Sequence, residues 1–401
     1  MILVRLSKFS PTETSANCRL IFRQDSRVSR ASLHLSDRDT DSVVQLREIE
    51  KRSAYTRRLP RGCVVCRKGA KMVLLVTGKC SRRCCYCPLS SEKKGKDVFF
   101  ANERKIGRIE NMIDEARLMN AEGTGITGGD PLASIERTVK CIKMLKSEFG
   151  SQHHIHLYTS TTDARKILRV AHAGLDEIRF HPPLSTWAKL DRSGYAASVN
   201  LSKSYGLSVG LEIPVMPNKI EQLRGAVRFA DNQELDFVNL NELEFSETNW
   251  RSLRMLGFDV KDDVSSAVKG SERLALSLLR SDVSVPLHYC SSSFKDGIQL
   301  RRRIMRRGRN VRRPHEILTE DGTLVKGVIE TERVAATAAW LLRDFGIPGK
   351  LIWSDREKKR LEVAPWVLEK IAKEVPLPSY IVEEYPTADR LEVERRPLKR
   401  R

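Results

Sequence analysis

Three of the four cysteines within residues 80–87, namely Cys80, Cys84 and Cys87, constrain this chain more than any other feature of its sequence, and Cys85 lies between them. Cys80 and Cys84 are separated by three residues, and Cys84 and Cys87 by two. A compact loop of thiolates suits iron in an iron–sulfur cluster, because soft sulfur ligands select such clusters. An ordinary cluster takes four cysteines, so three in one loop leave one iron open to a small molecule. The alternative interpretation is a zinc knuckle beside an accidental glycine turn.

Downstream of this loop, a glycine-rich segment ends the second of two apolar, strand-like runs. The segment is Thr127-Gly128-Gly129-Asp130-Pro131, and the first run, Met72 to Val76, leads into the cysteine loop. Together they resemble the radical S-adenosylmethionine (SAM) superfamily, whose members carry a C-x3-C-x-aromatic-C loop after strand one and a Gly-Gly-Glu-Pro-like segment after strand two. In this chain Tyr86 occupies the aromatic position, and Asp130 stands where the usual residue is Glu.

The resemblance implies both cofactors and their chemistry. Cys80, Cys84 and Cys87 would hold three irons of a [4Fe-4S] cluster, and the amino and carboxylate groups of SAM would chelate the fourth. Reduction of the cluster would cleave SAM to methionine and a 5′-deoxyadenosyl radical, which abstracts a hydrogen atom from the substrate. An electron donor is therefore an expected partner.

The resemblance also implies a set of SAM-binding residues. Glycines suit a backbone that approaches a ligand closely or takes a positive φ, and by resemblance Gly128 and Gly129 contact the methionine end of SAM. Tyr86 would lie near the adenine, or pack beneath the loop. The full set of predicted cofactor contacts is Tyr86, Thr127, Gly128, Gly129, Asp130, Thr159, His181 and Glu212.

Three members of this set are chosen only by their positions near strand ends. Thr159 closes a predicted strand, His181 follows the next one, and Glu212 lies in the one after that. In the superfamily, residues at such positions contact the ribose, carboxylate or adenine of SAM. His181 would serve equally as a structural histidine beside the prolines that follow it.

A second metal site is predicted from cysteines outside the loop. Cys63 and Cys66 are separated by two residues, which is half of a metal site, or else a reduced pair at a turn. The run that ends at Cys290 alternates like a strand, so His288 faces the same side as Cys290. These four side chains would bind zinc or an auxiliary iron–sulfur cluster. The histidines within residues 153–156 are instead predicted to pack, because neighbouring strand residues face opposite ways.

From Ala70 onward, strand-like runs alternate with amphipathic, helix-like ones. Six strands are predicted, at residues 70–76, 123–127, 154–159, 177–180, 208–213 and 237–245. This repetition indicates an α/β fold with a parallel sheet and right-handed crossovers, here a partial (β/α)6 barrel, which the superfamily resemblance also implies. In barrels of this kind the chemistry lies at the C-terminal ends of the strands, where both motif loops fall.

Composition divides the chain into four segments. Residues 1–45 are rich in Ser, Thr, Arg and Asp and are predicted to be a poorly ordered extension. Residues 46–69 carry the Cys63/Cys66 pair, after a short helix predicted at 42–53. Residues 70–250 would form the barrel, and residues 251–401 a basic C-terminal α+β subdomain.

The net charge of +20 is concentrated outside the barrel. Residues 1–69 carry 15 basic and 7 acidic side chains, and residues 291–401 carry 25 and 17. Clustered arginines bind phosphates without sequence choice, although such a cluster is also typical of a solvated helix face. The arginines predicted to contact a nucleic acid are Arg301, Arg302, Arg303, Arg306, Arg307 and Arg309.

Three functions are compatible with these features. The first is hydrogen abstraction from a structured RNA, leading to base modification. The second is activation of a protein partner by making a glycyl radical, and the third is a metal-stabilised RNA-binding protein without radical chemistry.

Further runs of the chain, among them Gly62-Cys63-x-x-Cys66 and Cys87-Pro88-Leu89-Ser90, resemble one group within the superfamily. It consists of prokaryotic, mainly archaeal, radical SAM proteins related to the pyruvate formate-lyase activating enzymes. The resemblance spans roughly residues 46–401. Because the reaction of that group is unassigned, it implies cofactors and fold but no substrate.

The remaining composition bears on location. Nine cysteines, three of them needed as thiolates, favour a reducing cytoplasm over a disulfide framework. No apolar run approaches the ~20 residues of a bilayer span, and the first residues lack the apolar core of a signal peptide. No membrane contact is therefore expected.

Overall fold

The computed structural model of the chain describes residues 46–262 and 265–398. The chain divides into two units, residues 1–43 and residues 44–401. The poorly ordered extension predicted for residues 1–45 lies outside the described residues. All of the described residues belong to the second unit.

A sheet of eleven strands dominates the described residues. Its strands are β1 (Leu46–Glu48), β2 (Ala54–Thr56), β3 (Lys71–Thr77), β4 (Phe100–Ala101), β5 (Arg104–Lys105), β6 (Gly123–Gly128), β7 (His154–Thr159), β8 (Glu177–Phe180), β9 (Ser208–Val215), β10 (Phe237–Glu242) and β11 (Leu287–Cys290). Seven of these described strands, β3 and β6 to β11, are parallel and lie side by side in chain order. The predicted partial barrel is confirmed, and β11 adds one strand to the six expected.

Helices connect the parallel strands and cover their outer face. Up to β11, the described helices are α1 (Arg61–Arg67), α2 (Asn111–Leu118), α3 (Ile135–Phe149), α4 (Ala164–His172), α5 (Gly194–Ser204), α6 (Ile220–Asn232), α7 (Trp250–Met255) and α8 (Ser271–Leu279). In α3, Cys141, Ile142 and Leu145 form one buried stripe at helical spacing. Gly150, with φ of 75°, ends that helix. Such stripes and the outward strand residues form one continuous apolar core.

Antiparallel strands border the parallel run on both sides. The β4–β5 hairpin pairs with β3, and β2 pairs with β11. Ser53 Oγ and Ser291 Oγ lie 3.0 Å apart and reinforce the second junction. The helix predicted over residues 42–53 is wrong for its described part, because residues 46–48 pair with β2 and residues 50–52 form a single 3-10 turn.

A smaller, antiparallel sheet follows in the chain. It contains β12 (Ile317–Leu318), β13 (Leu324–Glu330), β14 (Ile352–Asp355), β15 (Arg360–Val363), β16 (Ser379–Glu384) and β17 (Glu392–Pro397), with helices α9 (Ser292–Phe294), α10 (Arg301–Val311), α11 (Val334–Asp344) and α12 (Pro365–Ile371) before and between them. This is the expected α+β architecture. The domain division at residue 250 stays a prediction, and β11 beyond it belongs to the larger sheet. Among the described helices, none combines the length and apolar character needed to cross a bilayer.

A buried network of charges supports the smaller sheet. Lys326 Nζ lies 3.1 Å from Glu316 and 2.9 Å from Glu362, and all three side chains are at most 1% exposed. The ligand atoms of His315, Glu316 and Glu362 lie within 4.8 Å of one another, which is a spacing that a metal ion could use. Because Arg390 also pairs with Glu316 and Arg360 with Glu362, at least three cations face the two acids, and the group is explained as a buried ion network.

Candidate active site

The cysteine loop leaves the C-terminal end of β3. Cys80 is exposed, Cys84 and Cys87 are half-buried, and none of the three is in a disulfide. The N–H of Arg82 donates to Cys80 Sγ at 3.3 Å. The N–H of Cys87 donates to the Cys84 carbonyl at 3.2 Å. Burial raises the pKa of Cys80, and the nearby Asp130 and the other two thiols contribute to that shift.

This donor set fits an iron–sulfur cluster with one open iron. The charges of the three thiols act on one another, and that of Cys85 acts on Cys84 as well. Thiolate is the form that binds metal, so binding of iron to these side chains would release protons. The assignment of the three cysteines as ligands stays a prediction that the loop geometry supports.

The glycine-rich segment packs directly against the start of the cysteine loop. The N–H of Gly129 donates to the Thr77 carbonyl at 2.8 Å, and that of Asp130 to the Lys79 carbonyl at 2.9 Å. A Cβ on Gly128 would lie 2.3 Å from the Thr77 carbonyl oxygen, and one on Gly129 would lie 2.4 Å from that of Lys79. Neither glycine has a positive φ. The close approach of two loops, which the sequence analysis did not foresee, therefore requires glycine here.

Asp130 and Thr159, both predicted SAM contacts, are bonded to each other. Thr159 Oγ1 donates to the Asp130 carboxylate at 2.9 Å. The same carboxylate accepts from the N–H of Leu132 and from the N–H and hydroxyl of Ser160, each at 3.0 Å. This buried group thus joins the ends of β6 and β7. Contact of Asp130, Thr159 or the half-buried Thr127 with SAM stays a prediction.

Tyr86 and His181 meet at the C-terminal end of β8. The Tyr86 hydroxyl oxygen lies 3.1 Å from His181 Nε2, and the ring centroids are 5.7 Å apart. Tyr86 is 5% exposed, and its hydroxyl also contacts the Cys84 thiol. Burial lowers the pKa of His181, which favours the neutral imidazole. The aromatic residue thus anchors the cysteine loop to a strand end.

Two residues after β10 hold the cysteine loop and were not predicted. Nδ2 of the buried Asn249 donates to the Tyr86 carbonyl at 3.1 Å. Thr248 Oγ1 lies 3.1 Å from the carbonyl of Cys87 and 2.8 Å from that of Leu89. The available signal was a polar run, residues 246–249, directly after a predicted strand at the end where barrels carry their sites.

Charged and polar side chains line the inside of the barrel, which we call the lumen. Glu212 accepts from Arg179 at 3.1 Å, from Asn239 at 2.8 Å and from Asn241 at 2.7 Å. Both of its carboxylate oxygens are thus engaged, and its contact with SAM stays a prediction. Arg179 also pairs with the buried Glu177. Burial raises the pKa of Glu177, but the charge of Arg179 outweighs this effect and lowers that pKa to about 2.

His154 and His156, two of the histidines predicted to pack, both face the lumen. The ligand atoms of His154, His156 and Glu177 lie within 4.8 Å of one another. Alternation separates neighbours, but residues 154 and 156 are two positions apart and therefore share a face. Glu177 is paired with Arg179 at 2.5 Å and with His154 at 3.3 Å. The carboxylate is therefore already paired with a guanidinium, and the two histidines lie buried beside that pair, with His156 Nε2 3.3 Å from the Tyr158 hydroxyl oxygen.

The four residues of the predicted second metal site all lie buried in the lumen. Cys63 and Cys66 are on α1 rather than at a turn, and His288 and Cys290 are on β11. Within the described ranges, no three of their ligand atoms lie within 4.8 Å of one another. A single zinc ion would therefore need the side chains to move.

The arginines predicted to contact a nucleic acid lie on α10, and most of them turn toward the barrel. Four of the six, Arg302, Arg303, Arg306 and Arg307, form ion pairs with Glu50, Glu103, Glu122 and Glu115, in that order. Arg301 pairs with Asp321 at 3.2 Å, and Arg309 is exposed. Contact of this run with RNA stays a prediction, and the ion pairs give most of the run another role.

Comparison with known families finds two matches. A model of the radical SAM superfamily matches residues 74–230, which contain the cysteine loop and the glycine-rich segment. A second family model, described as a domain of unknown function, matches residues 322–398 in the smaller sheet. Barrel and smaller sheet thus match separate families.

A protein of Methanocaldococcus jannaschii is 41% identical over 361 residues. The match covers 85% of this chain and 93% of that protein, whose name describes it as a candidate glycyl-radical enzyme activating enzyme. Among solved structures, methylornithine synthase shows 15% identity and a TM-score of 0.37, covering 55% of this chain and 70% of that one. Streptococcus suis SuiB bound to S-adenosylmethionine shows 9% identity and a TM-score of 0.38, covering 55% and 50%.

Proposed function

This chain belongs to the radical SAM superfamily, and we propose that it is an activating enzyme that makes a glycyl radical on a protein partner. As a member of the superfamily, it is an enzyme that uses a [4Fe-4S] cluster and SAM. With one electron from a reductant, these cofactors supply methionine and a 5′-deoxyadenosyl radical that abstracts hydrogen. The partner, the electron donor, a cytoplasmic location and the residue roles are the parts that we propose.

We assign the cluster to Cys80, Cys84 and Cys87. Gly129 keeps the second loop within hydrogen-bond distance of the first, and Asp130 locks that loop to β7. Asn249 donates to the cysteine loop at the Tyr86 carbonyl. These contacts would hold both loops in a fixed arrangement around the cluster, as positioning of the cofactor requires.

The observation that supports a protein partner is the similarity to the M. jannaschii protein. Its name describes activation of a glycyl-radical enzyme, and the match covers 93% of its length. Modification of an RNA rests only on the net charge of +20, since five of the six arginines pair with carboxylates. An RNA-binding protein without radical chemistry does not fit membership of the superfamily.

The cluster assignment is tested by cleavage of SAM. Anaerobically reconstituted protein, reduced and mixed with SAM, is expected to release 5′-deoxyadenosine. Cys80→Ala, Cys84→Ala and Cys87→Ala should each abolish that product, whereas Cys85→Ala in the loop and Cys141→Ala in α3 should not. Equal loss with Cys85→Ala would show that the ligands are wrongly assigned.

The substrate class is tested by electron paramagnetic resonance. The reduced protein is incubated with SAM and an anaerobic extract of its source organism, separated into protein and RNA fractions. We expect the protein fraction to gain a glycyl-radical doublet that requires SAM and is absent with the Cys84→Ala variant. Stimulation of 5′-deoxyadenosine release by the RNA fraction, and not by the protein fraction, would overturn the assignment to a protein partner.

A further inference from the structure

Three thiols and an imidazole outside the cysteine loop lie together in the lumen. We call Cys63, Cys66, His288 and Cys290 the lumen cluster, and each is at most 9% exposed. α1 presents its two cysteines at positions i and i+3, on one side of the helix. β11 presents His288 and Cys290 on one face of the strand. The radical chemistry assigned to the cysteine loop uses none of the four.

Two of the buried thiols lie beside a cation. Cys63 Sγ is 3.5 Å from both terminal nitrogens of Arg179. Lys295 lies close enough to Cys290 to act on its charge. Both cations also pair with carboxylates, Arg179 with Glu177 and Glu212 and Lys295 with Glu244. A metal would bind the side chains as thiolates and release their protons.

The third thiol also has a cation nearby. Lys71, a half-buried residue at the start of β3, lies close enough to Cys66 for the two charges to interact. All three thiols of the lumen cluster thus have a cationic side chain in their surroundings.

His288 offers a lone pair that nothing in the described residues uses. Its Nδ1 lies 3.0 Å from Asn239 Oδ1. Because the other end of that amide donates to the Glu212 carboxylate at 2.8 Å, the amide oxygen must face His288, so Nδ1 carries the proton. Nε2 is then a buried acceptor, and no hydrogen-bond partner for it is found in residues 46–262 or 265–398. A metal-ligating histidine is held in this way, with its second nitrogen donating to a fixed oxygen.

The spacing of the side chains in the lumen cluster bears on whether they would bind an iron–sulfur cluster or a single metal ion. Zinc bound tetrahedrally by thiolates at about 2.3 Å needs sulfur atoms roughly 3.8 Å apart. In the described residues no three ligand atoms of the lumen cluster lie within 4.8 Å of one another. The thiols of the cysteine loop also exceed this limit, as ligands of separate irons do. As the side chains stand, this spacing excludes a single shared ion and is compatible with a centre in which each side chain binds its own iron.

We propose that Cys63, Cys66, Cys290 and His288 hold a second iron–sulfur cluster inside the barrel. Four protein ligands would saturate it, so it would have no open iron for SAM, in contrast to the cluster of the cysteine loop. Its formation depends neither on the identity of the substrate nor on the loop cysteines, so it can be tested where radical chemistry is absent.

The test uses a variant with Cys80, Cys84 and Cys87 all replaced by Ala. After anaerobic reconstitution with ferrous iron and sulfide and removal of unbound reagents, iron, acid-labile sulfide and visible absorption are measured. We expect iron and sulfide to remain bound, to be lost when Cys290→Ser is added, and to be retained when Cys141→Ala is added instead. A folded variant that is free of iron, or that holds only zinc, would overturn the proposal.

Two further measurements keep the test decisive if the triple variant does not fold. In the otherwise native chain, Cys290→Ser should lower both iron and sulfide per chain, while Cys141→Ala should lower neither. His288→Cys should retain the second cluster but lower its reduction potential, because imidazole ligation raises the potential of such clusters. Because a serine oxygen can also bind iron, Cys290→Ala is measured beside Cys290→Ser. Unchanged iron with Cys290→Ala would remove Cys290 as a ligand, and an unchanged potential with His288→Cys would remove His288.

Discussion

Arg307 on α10 forms a two-point ion pair with Glu115 on α2, with Nε 3.0 Å from Oε1 and the second nitrogen 3.1 Å from Oε2. The two side chains are only 8% and 2% exposed. The third nitrogen of the guanidinium donates to the carbonyl of Pro386, in the segment that leads to β17. An arginine that the sequence marks as a nucleic-acid contact therefore ties the barrel to the smaller sheet.

Replacement of Arg307 should destabilise the fold strongly. Arg307→Ala leaves the buried Glu115 carboxylate without its cation, which costs about 3–5 kcal/mol. Arg309→Ala removes an exposed arginine from the same helix and should change the free energy of unfolding by less than about 0.5 kcal/mol. Urea unfolding of both variants beside the parent measures the difference. Similar values for the two would show that the ion pair contributes little.

Loss of the Thr159 hydroxyl should loosen the loop that Asp130 anchors. Thr159→Val keeps the shape but removes one donor to a buried carboxylate, and we expect a loss of about 1–3 kcal/mol in unfolding free energy. Thr159→Ser keeps the hydroxyl and should lose less. Affinity for SAM should fall with Thr159→Val and largely persist with Thr159→Ser. If both variants bind SAM like the parent, Thr159 does not position the site.

Thr248 should control how firmly the cysteine loop holds its cluster. Thr248→Val removes the hydroxyl that bonds loop carbonyls, while Thr248→Ser retains it. We expect reconstituted Thr248→Val protein to release iron to a chelator several-fold faster than the parent, since one lost hydrogen bond to the loop is worth about 1 kcal/mol. The serine variant should release iron at the parent rate. Equal rates in all three proteins would contradict a supporting role.

Acid should destabilise the fold through His153. Burial and Lys146 lower the pKa of His153 to about 4, while an unfolded histidine titrates near 6.5. Between these values the unfolded state binds the extra proton, so stability is full above pH 6.5 and falls as the pH drops toward 4. The loss at pH 5 should be about 2 kcal/mol.

The His153 contribution is isolated by comparing unfolding at pH 7 and pH 5. His153→Gln can keep the hydrogen bond to Thr124 and should reduce the difference between the two pH values by about 2 kcal/mol. His172→Gln, at an exposed position of α4, should leave the difference unchanged. A parent-like difference in His153→Gln would place the acid sensitivity elsewhere.

The strands were predictable because burial on both faces leaves a strong signal. Those starting at His154 and Glu177 have the predicted bounds, and the others differ by a few residues at their ends. Apolar side chains pointing outward to the helices, with short turns between, are visible in any window of the sequence. The pairing of β2 with β11 was not predictable, since backbone pairing across such a separation leaves no local pattern.

The cysteine motif of the site was predictable from the sequence, whereas the hydrogen bonds that support it were not. Spacing alone singled out Cys80, Cys84 and Cys87, but their supports, Thr248 and Asn249, are more than 150 positions away. The roles of arginines were also hidden, because charge in a sequence does not reveal which arginine faces solvent and which, like Arg307, meets a buried carboxylate. Tertiary partners decide both questions.

The pairing of β2 with β11 sets an order of events during translation. Ser53, next to β2, leaves the ribosome 238 residues before its hydrogen-bond partner Ser291, next to β11. At about 5–20 residues per second, that interval is on the order of ten to fifty seconds. Throughout it, the nascent chain carries Cys63 and Cys66 without the strand that completes their enclosure. Their thiols are thus accessible to oxidants in the cell before the finished barrel covers them.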